Sequence, residues 1–196
     1  MSKTGQLSES EVLEILEASG AILHGHFVLS SGRHSEAYVE KFRAFEYPEY
    51  ARKLGESLGR RFEDRQVDVV LSPAVGAIVL GFTTALHLGC RFIFSEREEG
   101  EMRLRRGFEI SAGERVLVIE DVVTTGGSVK ELLPLIAPGE LAGIGLLVSR
   151  GDRSSGAGLP VDPEALLNLP MESWAEADCP LCARGVPRTS RGSRLL

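Results

Sequence analysis

The chain has 196 residues, 43% of them hydrophobic and 26% charged, and carries a net charge of −6. That length and composition fit one soluble globular domain with a substantial core, expected to span residues 1–196. The acidic balance argues against a general nucleic-acid binder, and three cysteines, an odd number, do not make a disulfide framework.

Residues 1–6 lack the basic-then-apolar pattern of a secretory leader. Ser8 to Glu11 fits a capping box, and Val12, Ile15 and Leu16 fall on one helical face before Gly20 stops the helix. Residues 23–40, rich in Gly, His and Ser, show short alternating runs that predict β structure. Residues 48–62 predict an amphipathic helix, with Tyr50, Leu54, Leu58 and Phe62 at four-residue spacing. A strand at 67–71, a helix at 77–88 and a strand at 91–94 follow. The most apolar stretch, residues 74–86, is too short for a bilayer span and is broken by Gly76 and Gly81, so it reads as a buried helix. Residues 95–106 are dense in charge around Gly100, which suits either a solvated hairpin or a mobile lid whose arginines close over a ligand.

The most informative stretch comes next. Val116 to Ile119 is a wholly apolar, largely β-branched run, the mark of a strand buried on both faces. Glu120 and Asp121 follow where that strand should end. A loop of small and hydroxylated residues then leads to a helix opening at Lys130. Backbone N–H groups in such a loop, with the helix dipole, can hold a phosphate dianion. The carboxylates can accept hydrogen bonds from sugar hydroxyls or face Mg²⁺. A Walker loop is excluded because no Lys follows Gly126 and Gly127. A dinucleotide fingerprint is excluded because here the acids precede the glycines. A further buried strand is predicted at 144–148. Alternating strands and helices imply a parallel sheet covered on both faces, with ligands bound beyond the strands' carboxyl ends.

The ordered string Val118 to Ser128 resembles the phosphoribosyl-pyrophosphate (PRPP) signature of the type I phosphoribosyltransferases. The resemblance implies that fold: α/β, a mostly parallel central sheet flanked by helices, with a small N-terminal hood over about 1–45, a PRPP-binding core over about 46–170 and a tail over about 171–196. It implies that Glu120 and Asp121 hold the ribose 2′- and 3′-hydroxyls, that Thr124, Thr125, Gly126, Gly127 and Ser128 wrap the 5′-phosphate, and that Val122 and Val123 belong to the same PRPP-binding stretch. The loop of Ser72, Pro73 and Ala74 resembles the family's pyrophosphate loop, with Arg97 and Arg103 reaching PRPP from the charged segment.

Residues 27–38 resemble the hood of the orotate enzymes, in which Ser31, Gly32, Arg33 and Tyr38 would grip the pyrimidine beside Thr124. Either Arg150 or Arg153 would meet the orotate carboxylate. In those enzymes the segment matching 95–106 carries lysines and a histidine. Here it has neither, leaving Arg97 among the candidate catalytic groups with Glu120 and Asp121, although arginine is a poor general acid. The resemblance therefore implies an orotate phosphoribosyltransferase of pyrimidine biosynthesis, cytoplasmic and homodimeric, with Mg²⁺ brought by the substrate and faced by Asp121. It implies no nucleic-acid or membrane partner. Rivals are a phosphoribosyltransferase for a purine base or xanthine, and a non-catalytic PRPP sensor. Cys179 and Cys182 form a Cys-x-x-Cys without a second pair following, and the histidines lie far upstream. On that ground no zinc site is expected, and the pair marks a subgroup. The arginine-rich stretch 184–194 is expected to be a surface segment.

Overall fold

A computed structural model of the chain describes residues 5–29, 31–151 and 158–190, so Arg153 and the last arginines of the tail lie outside the described residues. Ser8 caps the first helix, α1 (Glu9–Ala18). The Glu11 N–H donates to Ser8 Oγ, and the Ser8 N–H donates to Glu11 Oε2, the reciprocal pair of a capping box. The Ser8 backbone N–H, with its hydroxyl, holds the Glu11 carboxyl below its ordinary range. After α1 the chain forms the hairpin β1 (Ile22–Val28) and β2 (His34–Val39), then the short helix α2 (Phe42–Phe45).

Helix α3 (Pro48–Gly59) starts at a proline, which loses no hydrogen bond in a first turn. The helix expected to reach Phe62 tightens instead into a 3₁₀ turn over Arg60–Arg65, which still delivers Phe62 to the core. There follow β3 (Val69–Pro73), α4 (Ile78–Leu88), β4 (Arg91–Glu98), β5 (Glu101–Leu104), β6 (Arg115–Val123), α5 (Gly127–Ile136), β7 (Glu140–Ser149) and β8 (Glu164–Asn168). A tail of α6 (Pro180–Ala183) and β9 (Thr189–Ser190) completes the described chain.

Six strands form the main sheet in the order β5-β4-β3-β6-β7-β8, all neighbours parallel except β4 with β5. This is the expected α/β fold with a mostly parallel central sheet. The pleat of β6 explains the layering. Leu117 and Ile119 join one core cluster with Leu54 and Leu58 of α3 and Leu80 of α4, while Val116 and Val118 join another with Val129 and Leu132 of α5. Several strands run further than the periodicity predicts, among them β4, β6 and β7. β4 continues from Phe94 to Glu98 because β5 pairs with it residue for residue, from Ser95↔Leu104 to Glu98↔Glu101. Glu99 and Gly100, both at positive φ, close that hairpin. β8 was not anticipated, its five residues being too short to show a period.

The second sheet is the hood, ordered β2-β1-β9, with β9 added parallel to β1 from the far end of the chain. Just before β9 the tail runs along β2. His34 and Trp174 exchange both backbone hydrogen bonds at 2.8 Å, and Ser35 Oγ donates to the Glu172 carbonyl at 2.8 Å. This folding-back brings Cys179 and Cys182 beside His26 and His34. The expectation that the histidines lie too far upstream to join the cysteines is thereby corrected, since separation along the chain is not separation in space. No helix among the described residues is long and apolar enough to cross a membrane.

Candidate active site

Strand β6 does not end with its apolar run at Ile119. It pairs with β7 through Glu120↔Leu146, Val122↔Val148 and Val123↔Ser149, so both acids sit inside the strand's last turn of pleat. Glu120 and Asp121 are consequently buried, at 7% and 8% exposure. The Val122 N–H donates to Asp121 Oδ1, and Lys41 Nζ stands 3.1 Å from Oδ2. Burial would push Lys41 down. The Asp121 carboxylate, with Tyr38 and Glu40, outweighs that and holds Lys41 above the ordinary lysine value. Gly76 makes this pair possible, because a Cβ there would lie 2.0 Å from Asp121 Oδ2 and 3.1 Å from Lys41 Cε.

Beyond β6 the chain passes Thr124 and Thr125 to Gly126, which takes φ +76° as the residue before the helix. Helix α5 opens at Gly127, three residues before Lys130, so Gly127 and Ser128 belong to its first turn rather than to a loop. The first intrahelical bond runs from the Lys130 N–H to the Gly126 carbonyl at 3.0 Å. The N–H groups of Gly127, Ser128 and Val129 are thus left without intrahelical partners, and the positive end of the helix dipole lies there. Anions suit such a place.

These parts wall one cavity of about 610 Å³. Glu120 to Ser128 form one side, Pro73 to Ala77 another, with the Ala74–Val75 peptide bond cis. Ser31 and Tyr38 of the hood, Lys41, Arg97 and Arg150 complete it. Arg150 is held at the end of β7, its N–H donating to the Val123 carbonyl at 2.8 Å and its guanidinium to Ser35 Oγ at 3.2 Å. Its Nε is buried without a hydrogen-bond partner among the described residues. Burial draws the guanidinium below the ordinary arginine value, with Tyr38 opposing, but so basic a group stays charged. Arg150, one of the two arginines left open by the sequence, reaches the cavity, while Arg153 lies outside the described residues.

Four expected residues do not line it. Ser72 is fully buried under α4, where a Cβ on Gly81 would meet its Oγ at 2.1 Å. Gly32 and Arg33 lie outside the wall, and Arg103 pairs with Glu101 at 2.8 Å and Glu98 at 3.8 Å within its own hairpin. Arg97 donates to the Gly100 carbonyl and to the Glu131 carboxylate on α5. Arg106 pairs with Glu96 at 2.8 Å, and Arg105 with Glu98 at 3.4 Å. The charged segment is therefore a hairpin that compensates much of its own charge. Sequence reasoning missed Lys41, whose Nζ stands 3.1 Å from Asp121 Oδ2. Its signal was its place three residues after Tyr38, just past the alternating hood segment.

The family model "Phosphoribosyl transferase domain" matches residues 45–164. The orotate phosphoribosyltransferase of Caldanaerobacter subterraneus subsp. tengcongensis is 45% identical over 192 residues, covering 97% of this chain and 100% of that protein. That of Thermotoga maritima is 44% identical over 185 residues, covering 93% of this chain and 98% of that protein. The crystal structure of orotate phosphoribosyltransferase from Aeropyrum pernix superposes with a TM-score of 0.67 at 27% identity, covering 81% of this chain and 93% of that one.

Proposed function

Because the chain belongs to the phosphoribosyltransferase family, we propose that it is an orotate phosphoribosyltransferase, moving the 5-phosphoribosyl group of PRPP onto orotate. The products are orotidine 5′-monophosphate and pyrophosphate, in pyrimidine biosynthesis. The observation that carries the reading is the convergence on one cavity of a buried acid pair, a helix N-terminus and the hood's Ser31 and Tyr38.

In this reading the 5′-phosphate rests on the N–H groups and hydroxyls of Thr124 to Ser128. Glu120 and Asp121 accept hydrogen bonds from the ribose 2′- and 3′-hydroxyls. Backbone groups of residues 73–77 receive the pyrophosphate, with Lys41 and Arg97 supplying positive charge. Orotate lies between Ser31, Tyr38 and Thr124, its carboxylate toward Arg150. A bond forms between orotate N1 and the anomeric carbon as the bond from that carbon to the pyrophosphate oxygen breaks, and the proton on N1 passes to the departing pyrophosphate. The ribose ring gains positive charge in between, and the buried carboxylates stabilise it electrostatically. Lys41, held protonated by Asp121, acts as a fixed cation rather than as a base.

The hard oxygen donors of the acid pair suit Mg²⁺, which Asp121, Glu120 and the substrate's own oxygens would hold. Bound there, it would neutralise charge on the departing pyrophosphate. A homodimer is supported by an uncovered apolar face on α4, where Phe82 and Leu86, one turn apart, are 54% and 67% exposed.

The test is loss of orotate absorbance in the presence of PRPP and Mg²⁺, with and without EDTA, alongside adenine and hypoxanthine as rival bases. Turnover of a purine with none of orotate would overturn the assignment. Tight PRPP binding with no base consumed would favour a sensor, the reading to which the lysine-free hairpin lends support.

A further inference from the structure

Four side chains that the transfer reaction does not use meet where the tail crosses the hood. His26 lies on β1, His34 opens β2, and Cys179 and Cys182 bracket the start and body of α6. His26, His34 and Cys179 are each 2% exposed, and Cys182 is half-buried. None of them lines the cavity described above. One ligand atom from each, two nitrogens and two sulfurs, falls within 4.8 Å of all the others.

The distances have the scale of a tetrahedron. Zinc bond lengths of ~2.05 Å to nitrogen and ~2.3 Å to sulfur give edges of ~3.3 Å N–N, ~3.6 Å N–S and ~3.8 Å S–S. His26 Nε2 stands 3.6 Å from Cys179 Sγ and 3.8 Å from Cys182 Sγ, and His34 Nδ1 stands 3.3 Å from Cys182 Sγ. The two nitrogens, 2.9 Å apart, are slightly closer than the ideal edge. The supporting contact is also in place. His26 Nδ1 lies 2.8 Å from the Val186 carbonyl, which only an N–H can face, and this fixes the tautomer with the Nε2 lone pair turned to the cluster. That single lone pair meets three neighbours. One hydrogen bond from His34 would satisfy it, so the approach of both sulfurs as well calls for a shared cation.

We propose that His26, His34, Cys179 and Cys182 bind one zinc ion. Two thiolates and two imidazoles in a tetrahedron are a zinc donor set. The 4.8 Å span leaves no room for a two-iron cluster, whose ligands sit on separate metals. Four protein ligands close the shell, so the ion is structural. It pins the tail to the hairpin that carries Ser31 and Tyr38. The hairpin register shifts between His24 and Phe27, the kind of bulge that re-aims a side chain, here beside His26.

The experiment needs no substrate, so its outcome is independent of the orotate assignment. The full chain, purified without a histidine tag under reducing conditions, is assayed for metal by mass spectrometry. About one zinc per chain is expected. Exchange with Co²⁺ should give the visible bands of a tetrahedral ion and a thiolate charge-transfer band in the near ultraviolet. Cys90→Ser should leave both signals unchanged, while Cys179→Ser combined with Cys182→Ser should cut bound metal at least ~10-fold. Where that variant does not fold, the unaltered chain decides. Removing zinc with 1,10-phenanthroline should speed trypsin cleavage near Arg184 and Arg188, and added zinc should restore protection. A folded, reduced chain that takes up neither Zn²⁺ nor Co²⁺, a cobalt spectrum lacking the thiolate band, or a Cys179–Cys182 disulfide in the native protein would each overturn the proposal.

Discussion

Gly76→Ala isolates what the acid pair needs from its surroundings. Gly76 is not among the glycines at positive φ, so alanine can adopt its backbone conformation. The trouble is the new methyl, built 2.0 Å from Asp121 Oδ2 where contacts below 3.0 Å are essentially never found. The carboxylate must therefore retreat by about 1 Å. As the end of a short side chain it can swing away, which keeps the cost to the fold small. At an effective dielectric constant of ~20, stretching the 3.1 Å pair with Lys41 to ~4.1 Å reduces its attraction from ~5.4 to ~4.0 kcal/mol. With weakened hydrogen bonds the loss of stability is about 1–2 kcal/mol, a fall in Tm of roughly 2–8 °C for a chain of this size. Catalysis should suffer far more, because a displacement of ~1 Å in a positioning group costs about 100-fold, or ~2.7 kcal/mol in the transition state. The measurement is kcat/KM for orotate consumption beside a circular-dichroism melt. A folded Gly76→Ala protein with kcat/KM within about twofold of the unaltered chain would refute the proposed role of Asp121.

Glu120→Gln combined with Asp121→Asn should lower kcat by ~10²–10³-fold and lower the melt by more than Gly76→Ala does, because Lys41 loses its partner outright; steady-state kinetics and dichroism check both halves. Arg150→Met should raise KM for orotate by ~10–100-fold and leave KM for PRPP nearly unchanged, as expected for a lost charge-assisted hydrogen bond. Lys41 titrates above the ordinary lysine value in the folded state, so its stabilising contribution is complete below that value and disappears as pH rises through the higher folded one. The Tm gap between the unaltered chain and Lys41→Met should therefore hold constant near neutrality and narrow above about pH 10.5. Ser8→Ala should cost about 1 kcal/mol of stability by removing the cap of α1, with activity unaltered.

The acid pair and its glycine loop were legible because a buried strand, its polar end and the following helix are contiguous, and each leaves a local pattern. The exact boundaries were not. Whether β6 stops at Ile119 or continues through Asp121 depends on β7 offering Leu146 and Val148 as partners, which no local pattern records. The same holds for β4, prolonged by β5. Lys41 was overlooked because the search for a cation followed the charged segment 95–106, whereas the fold supplies one from the end of the hood, 80 positions before Asp121. Ser72 shows the opposite error. It has the right type and neighbourhood, but the pleat turns it under α4. The meeting of His26 and His34 with Cys179 and Cys182 had no local signature at all, since it depends on β9 returning to β1.

That return has a consequence in time. The hood begins to form within the first forty residues, yet its contacts at Glu172, Trp174, Val186 and Thr189 are made by chain synthesised more than 130 residues later. At ~5–20 residues per second the delay is roughly seven to thirty seconds. During it β1 keeps an open edge where β9 will add, and contacts so distant in sequence close late. A nascent chain halted before residue 172 carries the loop after β6 but an unfinished hood, so in the proposed reading the capacity to hold the sugar phosphate matures during translation before the capacity to hold the base.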